Sequence, residues 1–145
     1  MTQRSSSDRT ATSSAHSAER AEVSLRSLQR QAREGGRFAC LTCYDATTAR
    51  WLERAGVEGL LVGDTAAEVV LGFPSPIQAP LELMIALTAA VKRGAPRCVV
   101  MADMPFMSYQ PSEAEAIRNA GRFMTEGSAD LVKLEVDGAH AGLVA

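Results

Sequence analysis

The chain has 145 residues, 46% of them apolar and 22% charged, which suits one globular domain and not two. Fifteen Lys and Arg against 17 Asp and Glu leave a net charge of −2, without the basic excess that a nucleic-acid binder uses to neutralise phosphates. No apolar run reaches the roughly 18 residues of a membrane-spanning helix, and three cysteines argue against a disulfide framework and for a reducing, cytoplasmic setting.

Residues 1–20 read as a disordered Ser-rich tail, and residues 21–145 as the folded part. Six of the first seventeen residues are Ser. Such a stretch buries too little apolar surface to offset ordering costs of about 1–2 kcal/mol per residue. It lacks the apolar core of a secretory signal. Its Arg and Ser leave an organelle transit peptide as the alternative, against which Asp8 and Glu19 count.

Beyond the tail, Leu25, Leu28 and Ala32 fall at helical spacing and Gly35-Gly36 stop the helix. Phe38–Cys43 reads as a first buried strand. Asp45 caps a helix carrying Ala46, Ala49 and Leu52, which Gly56 ends. Gly59–Gly63 is a second strand. An irregular stretch with Gly72, Pro74 and Pro76 leads into a helix with Leu81, Met84, Ile85 and Thr88, closed by Gly94. Cys98–Ala102 is a third strand. Ser112 and Glu115 have the spacing of a capping box before a helix carrying Ile117, Ala120 and Met124, which stops at Gly127. Asp130–Val136 is a fourth strand. Alternating strands and helices predict an α/β fold of parallel (β/α) units, about four of them. Either a doubly wound open sheet or part of a (β/α)₈ barrel satisfies this pattern.

The strand ends carry the chemistry. The second, third and fourth strands lead into Asp64, Asp103 and Glu135, so three carboxylates are expected on the C-terminal rim, where barrel enzymes keep their active sites. Two carboxylates about 4 Å apart repel by roughly 4 kcal/mol at an effective dielectric near 20, so the three need a cation or shared protons. An all-oxygen donor set points to Mg²⁺, with Mn²⁺ as the other candidate, and away from zinc. Lys133 then holds an anionic substrate beside the metal. The plainer interpretation makes Asp64 and Asp103 turn or cap residues, but acids at three successive strand ends are unlikely for packing alone.

The remaining candidates have bland interpretations. Cys40 and Cys43 match C-x-x-C, but in a strand they face opposite sides, so they are expected to be core cysteines. Met101, Met104 and Met107 read as core or pocket lining. His140 reads as a solvated loop residue and His16 belongs to the tail. Arg26, Arg30 and Arg33 form the wet face of the first helix. No G-x-G-x-x-G or P-loop is present.

Over about residues 25–136 the sequence resembles the ketopantoate hydroxymethyltransferases. The resemblance rests on five blocks in order: Leu41–Asp45, Leu61–Thr65, Ala89–Pro96, Ala102–Tyr109 and Val132–Glu135. It implies a TIM-type barrel, Mg²⁺, and 5,10-methylenetetrahydrofolate as donor of a hydroxymethyl group to 3-methyl-2-oxobutanoate, giving 2-dehydropantoate in pantothenate biosynthesis. It implies metal binding at Asp64, Asp103 and Glu135, and 2-oxoacid contacts at Asp64, Thr65, Asp103 and Lys133. The family usually has Ser where this chain has Thr65. The implied mechanism is deprotonation next to the ketone, with Mg²⁺ stabilising the enolate and Lys133 adding positive charge.

A full barrel typically has about 250 residues, so the expectation is the N-terminal half of such an enzyme. No catalytic base is assigned, because the family's general-base glutamate lies further along and has no counterpart here. The resemblance also implies a cytoplasmic homo-oligomer, decameric in the full enzyme. Two other functions remain open: a Mg²⁺-dependent C–C lyase or mutase acting on a 2-oxoacid, and a non-catalytic half barrel that assembles with another chain.

Overall fold

A computed structural model describes residues 21–138 and 141–144. The expected tail, His16 and His140 lie outside the described residues. Helix α1 (Leu25–Arg33) begins at Ser24, where Ser24 and Ser27 exchange side-chain hydrogen bonds with each other's backbone N–H. Then come β1 (Cys40–Thr42), α2 (Ala46–Ala55), β2 (Gly59–Val62), a short α3 (Ala66–Val69) and a 3₁₀ turn at Pro76–Gln78. Helix α4 (Leu81–Gly94), β3 (Val99–Asp103), α5 (Glu113–Thr125), β4 (Leu131–Lys133) and α6 (Ala141–Val144) complete the described chain. None of these helices is long and apolar enough to cross a membrane.

The four strands pair in parallel in the order β1-β2-β3-β4. That order decides between the two architectures open at the sequence level. A doubly wound sheet reverses direction at a switch point, whereas a barrel adds every strand on the same side. Leu60, Val62, Val100 and Ala102 share one face by register and are fully buried, in a core with Ala49, Met84, Val91 and Phe123 from α2, α4 and α5. Burying a large apolar side chain contributes about 1.5–3 kcal/mol, so this layer holds the half barrel together. The opposite face, with Cys40, Gly59, Val99, Met101 and Leu131, meets α1 across an apolar cavity of about 240 Å³.

Local chemistry explains the helix ends. Asp45 accepts the backbone N–H groups of Thr47 and Thr48 at 2.8 Å and the Thr48 hydroxyl at 2.6 Å, the pattern of a carboxylate cap. Gly56 closes α2 with a left-handed φ of 96°. Gly94 serves otherwise. It sits inside the last turn of α4, and a Cβ there would fall 2.3 Å from the Ala46 carbonyl oxygen, so it permits the close crossing of α2 and α4.

Four expectations need correction. The fourth strand is shorter than Asp130–Val136. Its ladder with β3 ends where the Met104 N–H donates to the Lys133 carbonyl, just past Asp103, the last residue of β3. Glu135 therefore lies in the segment after β4. The buried stripe of α5 is Ala116, Asn119 and Phe123, while Ile117 and Met124 are exposed. Asn119 turns inward because its Nδ2 donates to the Ser108 carbonyl at 2.7 Å, which pins the β3–α5 loop. Cys43 is in the core, but Cys40 is exposed, since β1 is an edge strand with little packed against it. Of the methionines, Met104 is buried and Met101 lines the cavity under α1, but Met107 is exposed at a positive φ of 65°.

Candidate active site

Parallel pairing brings the C-terminal ends of the strands to one rim. Asp103, the last residue of β3, stands beside Lys133, the last residue of β4, in Cα register. The Lys133 ammonium donates to Asp103 Oδ2 at 2.7 Å and to Glu135 Oε1 at 2.6 Å. Asp103 is only 4% exposed, and its second oxygen, Oδ1, is buried with no hydrogen-bond partner among the described residues. An unmet buried acceptor costs about 1–3 kcal/mol, so an orphaned carboxylate oxygen here marks a place where the fold gives up stability.

Strand alternation alone sends Asp64 the wrong way. Leu60 and Val62 point to the helix face, and Asp64 shares their parity, whereas Asp103 shares a face with Met101. The strand ends at Val62, and the turn at Gly63 re-aims the chain. Asp64 then lines a cavity of about 390 Å³ together with Ser75, Phe106, Tyr109, Gln110 and Glu135. Its charge also reaches Asp103. Gly63 lies where these groups converge. A Cβ there would meet Thr65 Oγ1 at 3.1 Å, the Tyr44 hydroxyl at 3.8 Å and Asp103 Oδ2 at 4.0 Å. Thr65 and Tyr44 hydroxyls are hydrogen-bonded to each other at 3.2 Å.

The electrostatics follow from burial and pairing. Desolvation raises the Asp103 pKa, with Asp64 and Glu135 adding to the rise, while the ion pair with Lys133 opposes it. Burial would lower that of Lys133, but its bonds to Asp103 and Glu135 win and raise it. Glu135, exposed at the rim, is lowered by Lys133. The site at rest is thus an ammonium clamped between two carboxylates.

The three expected carboxylates approach one another without forming a metal cage. Among the described residues no three Asp, Glu, His or Cys side chains are gathered closely enough to hold a metal ion. Lys133 stands between two of the three. The donor chemistry nevertheless fits a hard divalent cation, because Asp103 Oδ1 is free and Asp64 is nearby. Tyr109 is a rim residue to which the sequence pattern assigns no role. Its ring is buried and its hydroxyl donates to the Glu135 backbone carbonyl at 2.6 Å, tying the loop after β3 to the segment after β4. A buried Tyr needing a partner for its hydroxyl, placed between two rim segments, was the available signal.

Comparison with known proteins points the same way. The family described as Ketopantoate hydroxymethyltransferase matches residues 22–145. The chain is 48% identical over 123 residues to the 3-methyl-2-oxobutanoate hydroxymethyltransferase of Carboxydothermus hydrogenoformans, covering 85% of this chain and 45% of that protein. It is 44% identical to that of Hyperthermus butylicus, covering 86% and 43%, and 48% identical to that of Thermobifida fusca, covering 81% and 41%. The chain therefore spans less than half the length of these relatives. Among solved structures it resembles 2,3-dimethylmalate lyase, a PEP mutase/isocitrate lyase superfamily member, with a TM-score of 0.59 and 22% identity, covering 75% of this chain and 38% of that one. It also resembles oxaloacetate acetylhydrolase, with a TM-score of 0.57 and 21% identity, covering 78% and 40%. At such identities the likeness establishes the fold, part of a TIM-type barrel.

Proposed function

The chain belongs to the ketopantoate hydroxymethyltransferase family, and on that premise we propose that it carries the 2-oxoacid-gripping part of such a transferase. The reaction is transfer of a hydroxymethyl group from 5,10-methylenetetrahydrofolate to 3-methyl-2-oxobutanoate, giving 2-dehydropantoate. The observation that carries this reading is Asp103, a buried rim carboxylate with one oxygen spoken for by Lys133 and the other without a partner. A purely structural pair leaves no buried oxygen unmet.

Each rim residue has a definite task in this reading. Mg²⁺ held by Asp64 and Asp103, with Glu135 alongside, would supply Lewis acidity to the oxygens of the 2-oxoacid. Lys133 sets a cation at the same rim, where it neutralises the substrate's carboxylate and any negative charge that develops on the 2-oxo oxygen. Thr65 offers a hydroxyl to the same substrate, oriented by its bond to Tyr44. The 390 Å³ cavity above Asp64 and Glu135 lies within the usual range for small-molecule sites. Its wall of Phe106, Ile77 and Met104 suits the branched apolar end of 3-methyl-2-oxobutanoate.

The protein is also read as a homo-oligomer. Val69, Val70, Leu71, Phe73 and Ile77 are all large, apolar and exposed along one segment near the rim, the kind of surface that partners cover.

The test is calorimetric titration of the chain with 3-methyl-2-oxobutanoate in MgCl₂. Binding that needs the metal and vanishes in Asp103→Ala supports the reading. Binding indifferent to both metal and substitution overturns it. Cleavage of a C–C bond in a 2-oxoacid without folate would place the site with the lyases instead.

A further inference from the structure

We propose that Lys133 is a built-in stand-in for the divalent ion, an ammonium that holds Asp103 and Glu135 until metal displaces it and a 2-oxoacid takes it over. The inference rests on the magnesium-dependent 2-oxoacid reading above and adds a coupling between the two ligands. An ammonium has three N–H donors and one charge. Here it bonds Asp103 Oδ2 and Glu135 Oε1. It leaves Asp103 Oδ1 unserved in a residue only 4% exposed. With the lysine in this position, no metal cage exists among the described residues.

Magnesium demands close, nearly octahedral oxygen ligands. It gains Asp103 fully only when the ammonium lets go, so metal alone works against an existing ion pair. A 2-oxoacid changes that balance by giving the released ammonium a new carboxylate. Metal and 2-oxoacid therefore bind with positive coupling, and by linkage each tightens the other equally. Lys133 adds this to the coupling that direct contact between metal and 2-oxoacid already provides.

The experiment uses the full 145-residue chain and MgCl₂ titrated by calorimetry, with and without 3-methyl-2-oxobutanoate. Wild type should bind Mg²⁺ weakly alone and about tenfold more tightly with the 2-oxoacid, a typical coupling. Lys133→Met, its folding checked by circular dichroism, should bind Mg²⁺ alone about tenfold more tightly than wild type, because the local charge becomes more negative. Its response to the 2-oxoacid should be smaller than that of wild type, because only the direct contact between metal and 2-oxoacid remains. A second arm needs no variant: acetylation of wild-type Lys133 by acetic anhydride, read by mass spectrometry, should accelerate with saturating MgCl₂ and not with NaCl of equal ionic strength. Mg²⁺ binding that is no tighter in Lys133→Met, or that leaves Lys133 acetylation unchanged, overturns the stand-in role alone. No Mg²⁺ binding by either chain overturns the metal-dependent reading as well, and the stand-in with it.

Discussion

At the lower end of the β3–β4 pair, Lys92 meets Asp130 at 2.7 Å, and at the upper end Lys133 meets Asp103 at the same distance. The two ion pairs use the same residue types, but the lower one ties helix α4 to the residue before β4, whereas the upper one joins the ends of β3 and β4. Their surroundings differ. Below, Asp130 Oδ2 also accepts the Val100 N–H at 2.7 Å, and Lys92 also donates to the Cys98 carbonyl at 3.0 Å. That pair is woven into the backbone of both connections. Above, among the described residues, the Asp103 carboxylate accepts only from the lysine and keeps one oxygen orphaned, and Lys133 spends its other bond on an exposed Glu135 side chain. The lower pair is a staple and the upper pair keeps an open acceptor, in keeping with the division of barrels into a stabilising bottom and a reactive top.

The sharpest way to break this contrast is to remove each aspartate in turn. Asp103→Ala should abolish Mg²⁺ binding in calorimetry while the chain stays folded, since an unmet acceptor disappears along with the ion pair. Unchanged affinity would put Asp103 among the staples. Asp130→Ala should do the reverse. It strands the Val100 N–H and the Lys92 ammonium together and should cost about 2 kcal/mol in denaturant unfolding, with Mg²⁺ affinity unmoved. A smaller effect comes from Tyr109→Phe, which deletes the hydroxyl bond to the Glu135 carbonyl. About 1 kcal/mol of stability should go, and Glu135 should become more mobile by NMR relaxation.

The mildest test is a pH titration of the Asp103 carboxyl carbon by NMR. Its midpoint should lie above the ordinary aspartate value, and higher still in Lys133→Met, because the ammonium is what opposes desolvation. The sign for stability follows from proton linkage. The folded chain holds this proton more tightly than the unfolded chain does. The contribution of Asp103 to stability is therefore complete below its unfolded pKa and fades as pH rises through the folded one.

Much of the fold was legible because it is local. Asp45, Ser112, Gly56 and the apolar runs of the strands act within a few residues of themselves, so their spacing reports the elements directly. Ile117 and Met124 misled because the inward face of α5 is chosen by Asn119, whose partner is a carbonyl eleven residues away at Ser108. Cys40 misled because its exposure depends on β1 being an edge strand, and the chain order of strands does not reveal which neighbours cover them.

The site divides along the same line. The sequence by itself determined that Asp64, Asp103 and Glu135 follow three successive strands and that Lys133 lies near them, since a strand's end is a property of its own residues. The tertiary structure alone decided that the order β1-β2-β3-β4 excludes a switch point, that Gly63 swings Asp64 back toward Asp103, and that Lys133 settles between Asp103 and Glu135. These outcomes depend on register and on competition among charges that, apart from the neighbours Lys133 and Glu135, come from positions thirty or more residues apart. A linear pattern carries no distance between such groups, and electrostatic pairing is settled only by that distance.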